Sequence, residues 1–320
     1  MHIPDGFLNA ATSLGTGVVA AGGVGAALRQ TGRSLTADRR IPLAGITAAV
    51  IFVLQMLNFP VALGTSGHLL GGALAAILLG PWMGVLVVTV VVAVQALIFA
   101  DGGVSALGPN VFNMAIVTAL VGWAVFRLVR MVTPASRWAV LTATFVAGLV
   151  SVVASSFGFV IQYAIGGQGG APLGSVLTAM ASVHVLIGIG EGVISAAIVG
   201  ALLSTRPDLV AGAADLRGGT SGTPRTTVVV GAVLAAVLAF GIAPIASGDP
   251  DGLERVAIDL GFAGTAAEDH AIGGPLADYV VGPLGGSWIS IGLAGVVGAA
   301  LVYLVSLAVT RAMRRRTPAG

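Results

Sequence analysis

Residues 82–100 read WMGVLVVTVVVAVQALIFA, an apolar run with no charged residue. At 1.5 Å per residue a helix of this length reaches about 28 Å, enough to cross the hydrocarbon of a bilayer. Working outward, runs of the same kind recur near 7–28, 41–58 and 67–80, then near 110–132, 138–164, 181–203, 226–246 and 287–309. The third is short and Gly-rich, so it is expected to be tilted, half-inserted or joined to its neighbour. Over 320 residues only 9% are charged and 56% are hydrophobic, whereas a soluble domain has about 25% charged residues. The chain cannot cover a water-facing surface. The fold class is an all-α polytopic membrane protein of about nine transmembrane helices. A seven-helix domain is expected at 1–203, a polar Gly-, Thr- and Pro-rich linker at 204–225, and a two-helix unit at 226–320.

All 15 basic residues are arginines, which makes orientation testable. With Met1 outside, the groups Arg29, Arg33, Arg39 and Arg40, then Arg127, Arg130 and Arg137, then Arg206, Arg217 and Arg225, and finally Arg311, Arg314, Arg315 and Arg316 fall inside. Only Arg255 falls outside, as the positive-inside rule requires. The outside loops hold Asp5, Asp101, Asp249, Asp251, Glu254, Asp259, Glu268, Asp269 and Asp278. The expected location is the cell inner or plasma membrane, multi-pass, with the amino terminus outside and the carboxyl terminus cytoplasmic. The amino terminus has no basic n-region and no A-x-A site, so Met1 is expected to stay.

Absences narrow the chemistry. There is no cysteine, hence no thiolate nucleophile and no Cys-based zinc site. There is no lysine, so a P-loop, which needs its lysine on the phosphates, is impossible. No ATP site is expected in this chain. The arginines lie in short clusters between apolar runs, a topology signal that gives no reason to expect nucleic acid as a partner.

The chain opens Met1-His2-Ile3-Pro4-Asp5-Gly6-Phe7. A free amine, the deprotonated amide of a second residue and that residue's imidazole can bind one ion in fused rings. They fill three corners of a square, the geometry of Ni(II) or Cu(II). The fourth nitrogen has a candidate in His68 of Gly64-Thr65-Ser66-Gly67-His68, on the same face in this topology. Thr65 and Ser66 are candidates to orient its imidazole. Inside an apolar span, His184 and Glu191 lie nearly two turns apart and share a helix face. Ionisable groups there default to function; His184 is read as supporting the metal site and Glu191 as structural or coupling. The polar stretch from Asp101 to Asn113 can cover the site, with Asn110 alternatively a helix cap. His270 is assigned nothing.

Four motifs in order, MHIPDGF at 1–7, GTSGHLLGGALAAILLGPW at 64–82, QALIFADGGVSALGPNVFNM at 95–114 and HVLIGIGEGVIS at 184–195, resemble the CbiM/NikM family. These are substrate-binding membrane components of energy-coupling factor importers for nickel or cobalt. The tail, with PDGLE at 250–254, resembles the small CbiN/NikN partner, here fused to the same chain. The resemblance implies that Met1, His2 and His68 hold the metal, with Asp101, Asn113 and His184 matched by motif alone. It also implies Ni2+ or Co2+ as transported substrate, two cytoplasmic ABC ATPases and a transmembrane coupling component as partners, and no enzymatic activity. Pro4-Asp5 and GTSGH lean toward nickel. Two other readings stand beside it: a stand-alone metal channel or proton-coupled carrier, for which Glu191 is the one buried coupling group, and an intramembrane metal-dependent enzyme, although HExxH is absent.

Overall fold

The computed structural model describes residues 1–34, 40–62, 64–216, 223–267 and 276–316. Arg39, Arg217, Glu268, Asp269 and His270, named above, lie outside them. The helices are α1 (Ala10–Ser34), α2 (Arg40–Gln55), α3 (Gly72–Leu79), α4 (Pro81–Ile98), α5 (Leu107–Asn110), α6 (Thr118–Met131), α7 (Arg137–Gly166), α8 (Leu173–Thr205), α9 (Pro224–Val237), α10 (Gly252–Asp259) and α11 (Trp288–Arg316). A π-helical turn, Val111–Val117, joins α5 to α6. Among the described residues seven helical stretches are long and apolar enough to span a bilayer, and α2 is a shorter apolar helix. The all-helical membrane class holds, with one small addition. Strands β1 (Phe59–Ala62) and β2 (Thr65–Gly67) form an antiparallel hairpin with a bulge, and Gly64 at φ +72° allows the turn.

The third apolar segment departs from a full span. Residues 67–80 comprise the end of β2, an extended stretch and α3, whose eight residues make about 12 Å of helix. Every residue of α3 is buried. It is walled in by α4, α6 and α7, and glycines permit the approach: a Cβ on Gly84 would stand 2.8 Å from the Ala76 backbone, and one on Gly122 would stand 2.5 Å from Ala73. The run Gly71-Gly72-Ala73 with Ala75 and Ala76 is therefore tight interior packing. Helices α7 and α8 pack as a long pair through Gly148 against Gly192. Helices α9 and α11 pack on α2 in the same way. Gly298 lies against Phe52, Gly231 against Ile46, and Gly45 against Tyr303.

These packings bring two sets of loops to opposite ends. At one end Met1, Asn58, Ser66, His68, Asp101, Gly167, Asp251 and Tyr279 take part in hydrogen bonds between loops. At the other, Arg130 pairs with Asp215, Arg137 donates to the Gly200 carbonyl, and Arg206 bonds Asp208 and Thr227.

Candidate metal centre

Residues 1–9 precede α1 as an irregular strap tied to its surroundings by backbone hydrogen bonds at Ile3, Asp5, Phe7 and Asn9. The Ile3 N–H donates to Asn110 Oδ1 at 2.8 Å, and Asn110 Nδ2 returns a bond to the Ile3 carbonyl at 3.0 Å. Asn110 therefore fastens the strap. The Asp5 carboxylate accepts from the N–H groups of Val104 (3.2 Å) and Ser105 (2.7 Å). The Phe7 carbonyl accepts from Gln168 N and the Gly166 carbonyl from Asn9 N. Ile3 and Phe7 bury their side chains between these ties. Gly6 sits at φ +93°, and a Cβ there would lie 2.1 Å from the Thr265 carbonyl oxygen. Gly6→Ala is therefore expected to cost about 1–3 kcal/mol or more, read as a lowered thermal midpoint of the purified protein.

The strap delivers the amine of Met1 to the interior. Its side chain is buried, with the sulfur accepting from Ser155 Oγ at 3.7 Å. The amine nitrogen lies 2.5 Å from His68 Nε2 and donates to Asp251 Oδ2 at 2.6 Å. His68 is aimed by its neighbours. Its Nδ1 lies 3.0 Å from the Leu69 carbonyl, which can only accept, so Nδ1 carries the proton and Nε2 presents a lone pair to the amine. The segment after it is held by Glu191, whose carboxylate accepts from Leu70 N (2.6 Å) and Gly71 N (3.0 Å). Gln55 Nε2 donates to the Leu70 carbonyl at 2.7 Å. Burial, then the nearby ammonium, lower the His68 pKa, with Asp251 opposing.

The other sequence-predicted residues fall as follows. His2 stacks its ring on that of His68, with centroids 5.0 Å apart. Its Nδ1 faces Asp101 Oδ1 at 3.0 Å and its Nε2 faces Gln95 Oε1 at 3.2 Å, so the imidazole points away from the Met1–His68 pair. Asp101 also accepts from the Tyr279 hydroxyl at 2.5 Å. Burial raises its carboxyl, but His2 and Tyr279 outweigh this and hold it well below the usual carboxylate range. Burial and Asp101 push the Tyr279 phenol well up. Ala100, just before Asp101, is held at φ +53°, a strained value for a residue with a Cβ.

Thr65 is buried in β2, and Ser66 Oγ donates to the Asp249 carbonyl at 2.7 Å and not to His68. Asn113 lies in the π-helical turn and exchanges amide bonds with Gln162, 2.8 and 3.1 Å; its carbonyl accepts from Ser155, the residue under Met1. His184 donates Nδ1–H to the Met180 carbonyl, and its buried Nε2 has no hydrogen-bond partner among the described residues. It shares a small enclosed void with Met1, His68, Asp251 and Gly252.

Three residues at the centre escape a reading by motif. Gln95 is the one amide side chain in the run 82–100, a visible signal. Tyr279 gives none. Asp251 stands inside PDGLE, quoted but unassigned. Burial pushes its carboxyl up, but the Met1 ammonium, then His68, bring it well below the usual range. Outside these groups lies a cavity of ≈ 510 Å³ lined by His2, His68, Asp101, Asp251, Glu254 and Tyr279 among others.

Comparison with known proteins gives the family of the chain. Residues 2–209 match the family described as CbiM, cobalt uptake substrate-specific transmembrane region, and residues 225–315 match the PDGLE domain. A protein of Archaeoglobus fulgidus assigned to fused nickel transport, NikMN, is 36% identical over 98% of this chain and 99% of its own length. The cobalt transport protein CbiM of Geobacter sulfurreducens is 33% identical over 72% of this chain and 68% of its own. A crystal structure of a transition metal transporter superposes with a TM-score of 0.57 at 28% identity, covering 68% of this chain and all of that one.

Proposed function

The chain belongs to the CbiM family of cobalt uptake substrate-specific transmembrane proteins, with a PDGLE unit behind it, and from that premise we propose that it captures Ni2+ or Co2+. It is a multi-pass transport component, not an enzyme. The donors are the Met1 amine, the His2 amide and imidazole, and His68 Nε2. The observation that carries this reading is the 2.5 Å spacing of the amine and Nε2 in a buried site. Nitrogens about 2.0 Å from an ion stand about 2.8 Å apart at neighbouring corners of a square. To complete the square the His2 imidazole turns from Asp101 toward the amine. Four nitrogens in a plane favour nickel over cobalt.

The end carrying the site faces outside, and the arginine-bearing end faces the cytoplasm. Ions reach the site through the outer cavity, and release inward is driven by two cytoplasmic ABC ATPases through a transmembrane coupling protein. The absence of lysine supports a separate source of ATP hydrolysis. The carrier reading needs Glu191 as a coupling group, but its two oxygens are engaged by Leu70 and Gly71.

Calorimetric titration of the purified chain tests the reading. One Ni2+ or Co2+ is expected per chain, and His68→Ala is expected to weaken it about a hundredfold, the share of one donor among four. Unchanged binding in His68→Ala would remove His68 from the site. Capture releases protons from the amine and the amide, so it strengthens as pH rises, with about two protons released per ion. His68, held below its ordinary pKa by burial and the ammonium, adds none near neutral pH. Titrations in buffers of different ionisation enthalpy count these protons. A value near zero would exclude the amide as donor.

A further inference from the structure

The nitrogens assigned to the ion all come from the first unit, but one more group reaches the same point from the second. Asp251 Oδ2 stands 2.6 Å from the Met1 amine and 3.6 Å from His68 Nε2. Its other oxygen accepts from Glu254 N at 2.9 Å and caps α10. The chain on both sides fixes it there. The Pro250 carbonyl accepts from Ser66 N at 2.9 Å and the Asp249 carbonyl from Ser66 Oγ. Gly252 lies so near α8 that a Cβ would meet Ile187 at 2.6 Å and the His184 ring at 3.2 Å. Leu253 is fully buried. The PDGLE stretch is thus fitted onto the site residue by residue.

Resting on the reading that Met1, His2 and His68 hold the ion, we propose that Asp251 is the anionic fifth member of the site, supplied by the C-terminal unit to balance the captured ion's charge from beside the nitrogens. A divalent ion bound by three neutral nitrogens and one deprotonated amide keeps one positive charge. An uncompensated charge out of water is costly. Asp101 keeps the Tyr279 hydroxyl as its partner after the His2 ring turns to the ion. Asp251 lies within reach of two adjacent donors, where an ion between them would meet it. The loop that carries it is hydrogen-bonded onto Ser66 beside His68, so the carboxylate is held where the ion sits.

Asp251→Asn isolates the charge, because Asn caps a helix as well as Asp does. In titrations of the full chain with Ni2+, D251N is expected to bind one ion about ten- to a hundredfold more weakly than the unaltered chain. The visible absorption band of the nitrogen-bound Ni2+ is expected to stay, since the four donors remain. D259N removes an exposed carboxylate at the far end of the same helix and is expected to bind within about twofold. Equal affinity of D251N and the unaltered chain would overturn the proposal and leave the nitrogen site standing. So would an equal loss in D259N, which would indicate long-range charge, or a lost band in D251N, which would indicate a structural part. If the unaltered chain takes up neither Ni2+ nor Co2+, the nitrogen-site reading fails and this inference falls with it.

Discussion

A chain with one extra residue before Met1 is expected to lose metal binding by about ten-thousandfold while keeping both histidines. The free amine moves by up to about 3.5 Å along the chain, and the amide in the chelate ring is no longer the one joined to His2. Four-donor sites for a divalent ion are worth about 10–16 kcal/mol, or about a hundredfold in affinity for each donor. Two displaced donors compound to the larger figure. The extension also separates the amine from Asp251, 2.6 Å away, in a site with Met1 only 3% exposed. Calorimetry against the unextended chain reads the result. Binding within about threefold would show that the amine is not a ligand.

Replacing Glu191 with Ala is expected to lower the thermal midpoint by an amount on the order of 10 °C and to remove metal binding with it. The substitution leaves the N–H groups of Leu70 and Gly71 without acceptors inside the protein. Each orphaned buried donor costs about 1–3 kcal/mol, so the pair costs about 2–6 kcal/mol before any void is counted. His68 precedes this pair by two residues and loses its aim. Glu191→Gln keeps one acceptor oxygen and is expected to fall between the two. Differential scanning fluorimetry in detergent measures both variants. A midpoint unchanged in Glu191→Ala would mean that water or the backbone satisfies Leu70 and Gly71, and that Glu191 does not set the His68 loop.

The membrane class and most of the helices were legible because a long apolar run has few alternatives to a membrane helix. The run at 67–80 misled in part: its hydropathy reports burial, and here the burial is inside protein, around an eight-residue helix. Met1 and His68 could be paired from topology, since both precede an inward-going element. The Asp101 contact that holds the His2 ring could not, because a rotamer depends on packing among residues far apart in the chain. Ser66 looked like a partner for His68 by proximity in sequence, yet strand alternation turns it to the Asp249 carbonyl. Glu191 was noticed as a buried charge, but its partners are backbone N–H groups, which leave no mark in a sequence. Asp251 is 250 residues from Met1 and lies in a loop with no periodicity to place it.

The contacts between the PDGLE stretch and the site lie within one chain, joined through the segment between Thr205 and Pro224. A tethered group meets its target at an effective concentration of about millimolar order, however dilute the protein is in the membrane. Seating of this stretch is then a first-order event, set by the chain's own stiffness. Expression level would not alter how often Asp251 meets the site, and every copy would carry its own carboxylate in a fixed one-to-one ratio.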